Sequence, residues 1–120
     1  MKKTIDDITE RKKKMIYILE VVARKVRTIT YKHLCEIAEF PFKTLQDYKK
    51  LRHILNSIDQ ETYNKKGILL TALVVSQNCG VPGQGFFTNV MNMDIDMGYN
   101  RIIFYAWELE RVFKYYEKSK

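Results

Sequence analysis

The chain reads as an α+β protein, mainly helical: a winged helix-turn-helix with a small β-hairpin wing and long N- and C-terminal helices. Three observations predict this. Apolar residues recur at three- and four-residue steps near both ends of the chain, a short β-branched segment precedes a helix that closes before a proline, and a second apolar run leads into a glycine-rich loop. At 120 residues the chain is the size of one domain, taken as residues 1–120, with room for a single modest core.

The first helix is expected over residues 4–26, where Ile8, Met15, Ile18, Leu19, Val22 and Val26 recur as one apolar face and Thr4 with Asp7 reads as a cap pair. Lys12, Lys13 and Lys14 are expected on its exposed side. Residues 27–30 make a short strand, and residues 31–39 a helix whose buried side is Leu34, Ile37 and Ala38, stopped by Pro41. A third helix over residues 44–60 carries Tyr48, Leu51, Leu55 and Ile58 on one stripe and Gln46, Lys49, Lys50 and His53 on another. The second stripe is polar and largely basic.

Residues 64–67 (Asn-Lys-Lys-Gly) signal a turn, residues 68–75 a buried strand, and residues 77–85 a loop with four glycine or proline residues. Residues 86–90 are expected to return as the second strand of the wing. A last helix over residues 99–117 places Ile102, Ala106, Leu109, Phe113 and Tyr116 on one side. A four-helix α+β protein with a lone hairpin fits the same pattern.

The formal net charge of +7 is unevenly distributed. Residues 1–53 hold 14 Lys/Arg against 7 Asp/Glu, and residues 54–120 hold 7 against 7. All the excess lies in the first half, as in a face that meets phosphate. No apolar run reaches the roughly 18 residues of a membrane span, and the N-terminus lacks a signal-peptide core, so the expected location is cytoplasmic. Cys35 and Cys79 lie 44 positions apart without CxxC spacing, which argues against a zinc site or a disulfide framework. Cys35 is expected buried in a helix, and Cys79 exposed in the loop.

The stretch TITYKHLCEIAEFP, residues 28–41, together with LLTALVVSQNCGVPGQGF, residues 69–86, resembles the C-terminal domain of the O6-alkylguanine-DNA alkyltransferases and their alkyltransferase-like relatives. In that family a strand ends in a Thr/Ser-Tyr pair whose tyrosine approaches the phosphate of the target nucleotide, which implies this role for Tyr31. The asparagine near the end of the family's recognition helix matches Asn56. Its intercalating arginine falls on Leu45 or Asp47, and Arg52 is out of register. The family's Pro-Cys-His-Arg-Val motif falls on Leu70, Thr71, Ala72, Leu73 and Val74.

Alkyl transfer requires a thiolate beside a base. With Thr71 and Ala72 at the cysteine and histidine positions, no adjacent base is expected, Glu108 has nothing to orient, and no catalytic residue is assigned. The segments TALVV, VPGQGFF and FYAWELERVFKYY are also similar to a scattered set of uncharacterised bacterial and phage proteins.

Other chemistry is not indicated. The loop GVPGQG lacks the Lys-Ser/Thr of a P-loop, His33 and His53 fall on different helices, and Asp94 and Asp96 lack the spacing of a calcium loop. No cofactor or metal is expected.

The first expected function is non-catalytic DNA binding, of regulator or lesion-sensor type, with double-stranded DNA as partner. Lys49, Lys50 and His53 face the groove, Tyr31 and Lys32 touch phosphate, Lys12, Lys13 and Lys14 add charge, and Gln84 reaches out from the wing. The alternative is a protein-interaction module, such as a phage or mobile-element inhibitor or an immunity protein, contacting a partner through Phe86, Trp107 and Tyr115. The C-terminal helix could also pair with its own copy as a homodimer.

Overall fold

The computed structural model describes residues 3–118. Helix α1 (Lys3–Arg24) leads to strand β1 (Ile29–Thr30), helices α2 (Tyr31–Ala38) and α3 (Leu45–Lys66), a 3-10 segment (Leu70–Leu73), strand β2 (Val74–Val75), and helices α4 (Gln84–Asn92) and α5 (Arg101–Lys118). The fold is mainly helical with one small two-stranded sheet. None of the described helices is long and apolar enough to cross a membrane.

Helix α1 begins at Lys3, so Thr4 lies within it rather than before it. Met15, Ile18 and Leu19 are buried as expected, whereas Ile8 is exposed and Val26 lies beyond the helix end with a φ of 56°. Thr30 closes β1 and caps α2 at once, its Oγ1 accepting from the His33 N–H at 3.1 Å. The chain turns straight from strand into helix. Glu39, with a φ of 57°, ends α2 in the left-handed conformation, and Pro41 follows two residues on. Ile37 is exposed rather than buried, because Leu34, Cys35 and Ala38 make the contact face.

A reciprocal cap starts α3: Thr44 Oγ1 accepts from the Asp47 N–H, and Asp47 Oδ2 accepts from the Lys43 and Thr44 N–H groups. The helix runs on to Lys66, through most of the expected turn, because buried Thr62 extends the stripe of Leu51, Leu55 and Ile58. Only Gly67 leaves it, at a φ of 74° that glycine adopts without Cβ strain.

The expected β-hairpin wing is absent. Residues 86–90 lie in helix α4, and β2 pairs with β1 in parallel, Ile29 beside Val74 and Thr30 beside Val75. Phe86, Phe87 and Val90 are buried while Thr88 and Met91 are exposed, a helical spacing that a two-residue period cannot satisfy. Half of the strand expected at residues 68–75 is the 3-10 segment instead, and only Val74 and Val75 are strand. The 3-10 segment starts in the core, where its free N–H groups need partners. Glu108 accepts from the Leu69 N–H at 2.8 Å, Thr62 Oγ1 from the Leu70 N–H at 3.3 Å, and Asp59 Oδ1 from the Thr71 N–H at 2.9 Å.

Two apolar clusters share this segment. One joins α1, α2, α3 and the C-terminal half of α5 around Leu19, Leu34, Leu55, Leu70 and Val112. The other joins Leu69, Ala72 and Val75 to α4 and Tyr105. Helix α5 buries Tyr116 as expected but is otherwise turned from its expected face: Tyr105, Glu108 and Val112 are buried, whereas Ile102 and Ala106 are exposed. Lys66 ties three helices together, donating to Glu20 Oε2 at 3.1 Å and to the Tyr116 hydroxyl at 3.2 Å.

Candidate nucleic-acid interface

The polar stripe of α3 stands free of the core. Gln46, Lys49, Lys50 and His53 are all exposed, while Leu51, Ile54, Leu55 and Ile58 anchor the opposite side. Among the described residues no ion pair engages Lys32, Lys49 or Lys50. Lys32 is exposed on α2, the helix that precedes α3.

The lysines of α1 do not form one ridge. Lys12 turns toward α3, where its Nζ donates to Ser57 Oγ at 2.9 Å and pairs with Glu61 at 2.9 Å. Lys14 pairs with Glu39 at 3.4 Å, and Lys13 is exposed. Three consecutive helical residues spread over about 200° and cannot share a face. Lys12 is therefore a structural contact between α1 and α3.

Tyr31 opens α2 and reaches the glycine-rich loop, its hydroxyl oxygen accepting from the Gly83 N–H at 2.9 Å. The hydroxyl proton remains available to an acceptor such as phosphate. Tyr31→Phe keeps the ring and loses this bond, and a loss of about 1 kcal/mol is expected. Urea unfolding measures it.

Gln84 begins α4 and is exposed, with its Nε2 donating to Thr88 Oγ1 at 3.2 Å. The loop before it connects a strand to a helix, and Gly85 in the first turn of α4 lies against Arg52. A Cβ on Gly85 would meet the end of the Arg52 side chain, which would have to shift to admit it. Arg52 Nε donates to Asn56 Oδ1 at 3.1 Å, which binds two of the residues weighed by the resemblance to each other. Of the two positions matched to the intercalating arginine, Leu45 is exposed and Asp47 is held in the cap.

The surroundings of Thr71 differ from expectation. A carboxylate does stand beside it: Thr71 Oγ1 donates to Asp59 Oδ2 at 2.6 Å, and burial pushes the Asp59 carboxyl up to about 7. Both side chains are sealed in the core, Asp59 at 0% and Thr71 at 1% exposure. Glu108 likewise has a task, binding the Leu69 N–H and standing 3.5 Å from Arg111. Twelve residues separate Asp59 from Thr71, and the only trace in the sequence is a carboxylate beside the apolar stripe of α3. Burial also pushes the Cys35 thiol up to about 11, while Cys79 is exposed. No group of His, Cys, Asp and Glu among the described residues is arranged to hold a metal ion.

The aromatic side chains divide. Phe86 and Tyr105 are buried, so Phe86 is not a surface contact, because it packs edge-on against Phe87 inside the second cluster. Trp107 is 70% exposed and Tyr115 37%. Trp107 lines a groove of about 400 Å³ with Tyr99 and Ile103.

The chain matches no protein-family model, no curated protein and no solved structure.

Proposed function

We propose that this chain is a non-catalytic DNA-binding protein that lays the first half of α3 along duplex DNA, with α2 and α3 as the helix-turn-helix pair of a winged-helix-like domain. The observation that supports it is the exposed stripe of Gln46, Lys49, Lys50 and His53 on a helix whose other side is anchored in the core. Lys32 and the Tyr31 hydroxyl extend the contact toward phosphate, and Gln84 lies on the loop side of Tyr31. The loop before α4 takes the place of the wing. Lysines without a base-reading arginine favour backbone contact over sequence reading.

Titration into labelled duplex with and without O6-alkylguanine, at low and physiological salt, tests this reading. Binding that weakens with salt is the expected result. Preference for the lesion would identify a sensor of the alkyltransferase-like kind, and equal binding a regulator. No binding at low salt overturns the proposal.

A second reading, contact with a protein through α5, is supported by the exposed Ile103 and Trp107 beside Tyr99. If the partner is a second copy, the fluorescence of Trp107, the single tryptophan, shifts to the blue as concentration rises. Ile103→Glu abolishes that shift, and an emission maximum independent of concentration excludes the homodimer.

A further inference from the structure

Between α1 and the first half of α3 lies a groove of about 490 Å³, a volume typical of small-ligand sites. Its floor is apolar: Phe40 and Ile54 rise from the core beneath it, and Ile8 closes one side. Its rim carries basic side chains. Lys49, Lys50 and His53 stand along the α3 edge, and across the groove the Arg11 guanidinium lies 5.1 Å from the centre of the Phe40 ring. Asp47, a carboxylate on this rim, accepts from the Lys43 and Thr44 N–H groups of the helix cap, and its charge also faces Lys50.

This combination selects for a particular chemistry. A nucleic-acid backbone engages Lys49 and Lys50 and leaves the apolar floor in water, whereas a neutral hydrophobe covers the floor and makes no use of the charge on Lys49 and Lys50. A flat apolar body with one negative head group satisfies both. We infer that the groove binds a small aromatic monoanion, a carboxylate or sulfonate, and that its occupancy competes with DNA for Lys49, Lys50 and His53. The competition rests on the DNA reading; the ligand site does not.

The test uses anilinonaphthalene sulfonate as the anionic probe and N-phenylnaphthylamine as its neutral counterpart, with the full chain and no DNA. The sulfonate is expected to bind at least tenfold more tightly than the amine, and Lys49→Glu/Lys50→Glu to weaken it at least tenfold. Circular dichroism confirms that the variant is folded. Equal affinity for the two probes overturns the site. So does binding that survives the charge reversal but is lost in Ile103→Glu, since the probe would then sit on α5.

Duplex DNA is then added to the probe complex. Displacement of the sulfonate supports the competition, and DNA binding without displacement overturns it while leaving the DNA reading intact. Lysine-dependent sulfonate binding by a chain that binds no DNA supports the groove and overturns the DNA reading.

Discussion

On the proposed DNA-binding reading, reversing Lys49 and Lys50 to glutamate is expected to lower the affinity for duplex DNA by roughly a hundredfold or more at physiological salt. Each lysine that neutralises a phosphate contributes about −0.9 to the slope of log affinity against log salt, so the double alanine variant flattens that slope by about 2. The loss is the same for different sequences, because phosphate contacts carry no base information. Stability stays within about 0.5 kcal/mol, since both side chains are exposed and α3 is held by Leu51, Leu55 and Ile58. Lys12→Glu gives the contrast: it sets a carboxylate against Glu61 and removes the bond to Ser57, and its effect falls on stability. Fluorescence anisotropy over a salt series measures the first set, and unchanged affinity in the double variant would mean that DNA meets another face.

Asp59→Ala destabilises the protein by roughly 3 to 5 kcal/mol, because it leaves the N–H and hydroxyl of Thr71 buried without an acceptor. Its pH dependence has a definite sign. The Asp59 carboxyl is raised in the folded protein from 3.8 to about 7, so between those values the folded state holds a proton that the unfolded state has released. The contribution is fully present below pH 3.8 and is lost as pH rises through about 7. Glu108, also raised by burial, acts in the same direction.

Asp47 and Glu61 are lowered, Asp47 by the N–H groups of the cap and Glu61 by Lys12, so their contributions are lost as pH falls through the acid range. Urea unfolding of wild type therefore shows stability falling from pH 5 to pH 7. Asp59→Asn, which keeps an acceptor for the Thr71 N–H, shows a shallower fall. Identical slopes for the two proteins would mean that Asp59 is ionised in the fold throughout this range.

Much of the helical framework was legible in the residues. The start of α3 near Thr44, its stripe of Leu51, Leu55 and Ile58 without the exposed Tyr48, and the stop after α2 all act within one or two helical turns, and local spacing reports them directly. The exposed basic stripe of α3 was legible for the same reason, because its position follows from that of the apolar stripe. Lys13 and Lys14 of α1 are exposed as expected, but Lys12 was misread where adjacency in sequence stood in for direction on a helix, and it points at α3.

By itself the sequence determined the existence and order of the major helices other than α4, the excess of positive charge in the first half, and the lack of a cysteine in the position matched to an alkyltransferase nucleophile. Tertiary structure decided the rest. The parallel pairing of Ile29 with Val74 spans 45 positions, so no local period could distinguish it from a hairpin. The 3-10 segment exists where it does because Asp59, Thr62 and Glu108, brought in from two helices, satisfy its buried N–H groups. Helix α5 presents Tyr105 and Glu108 to the core instead of Ile102 because its burial is set by the second cluster and by Leu69. Local spacing fixes which residues can share a face, but only the partners that arrive from elsewhere in the chain decide which face is buried.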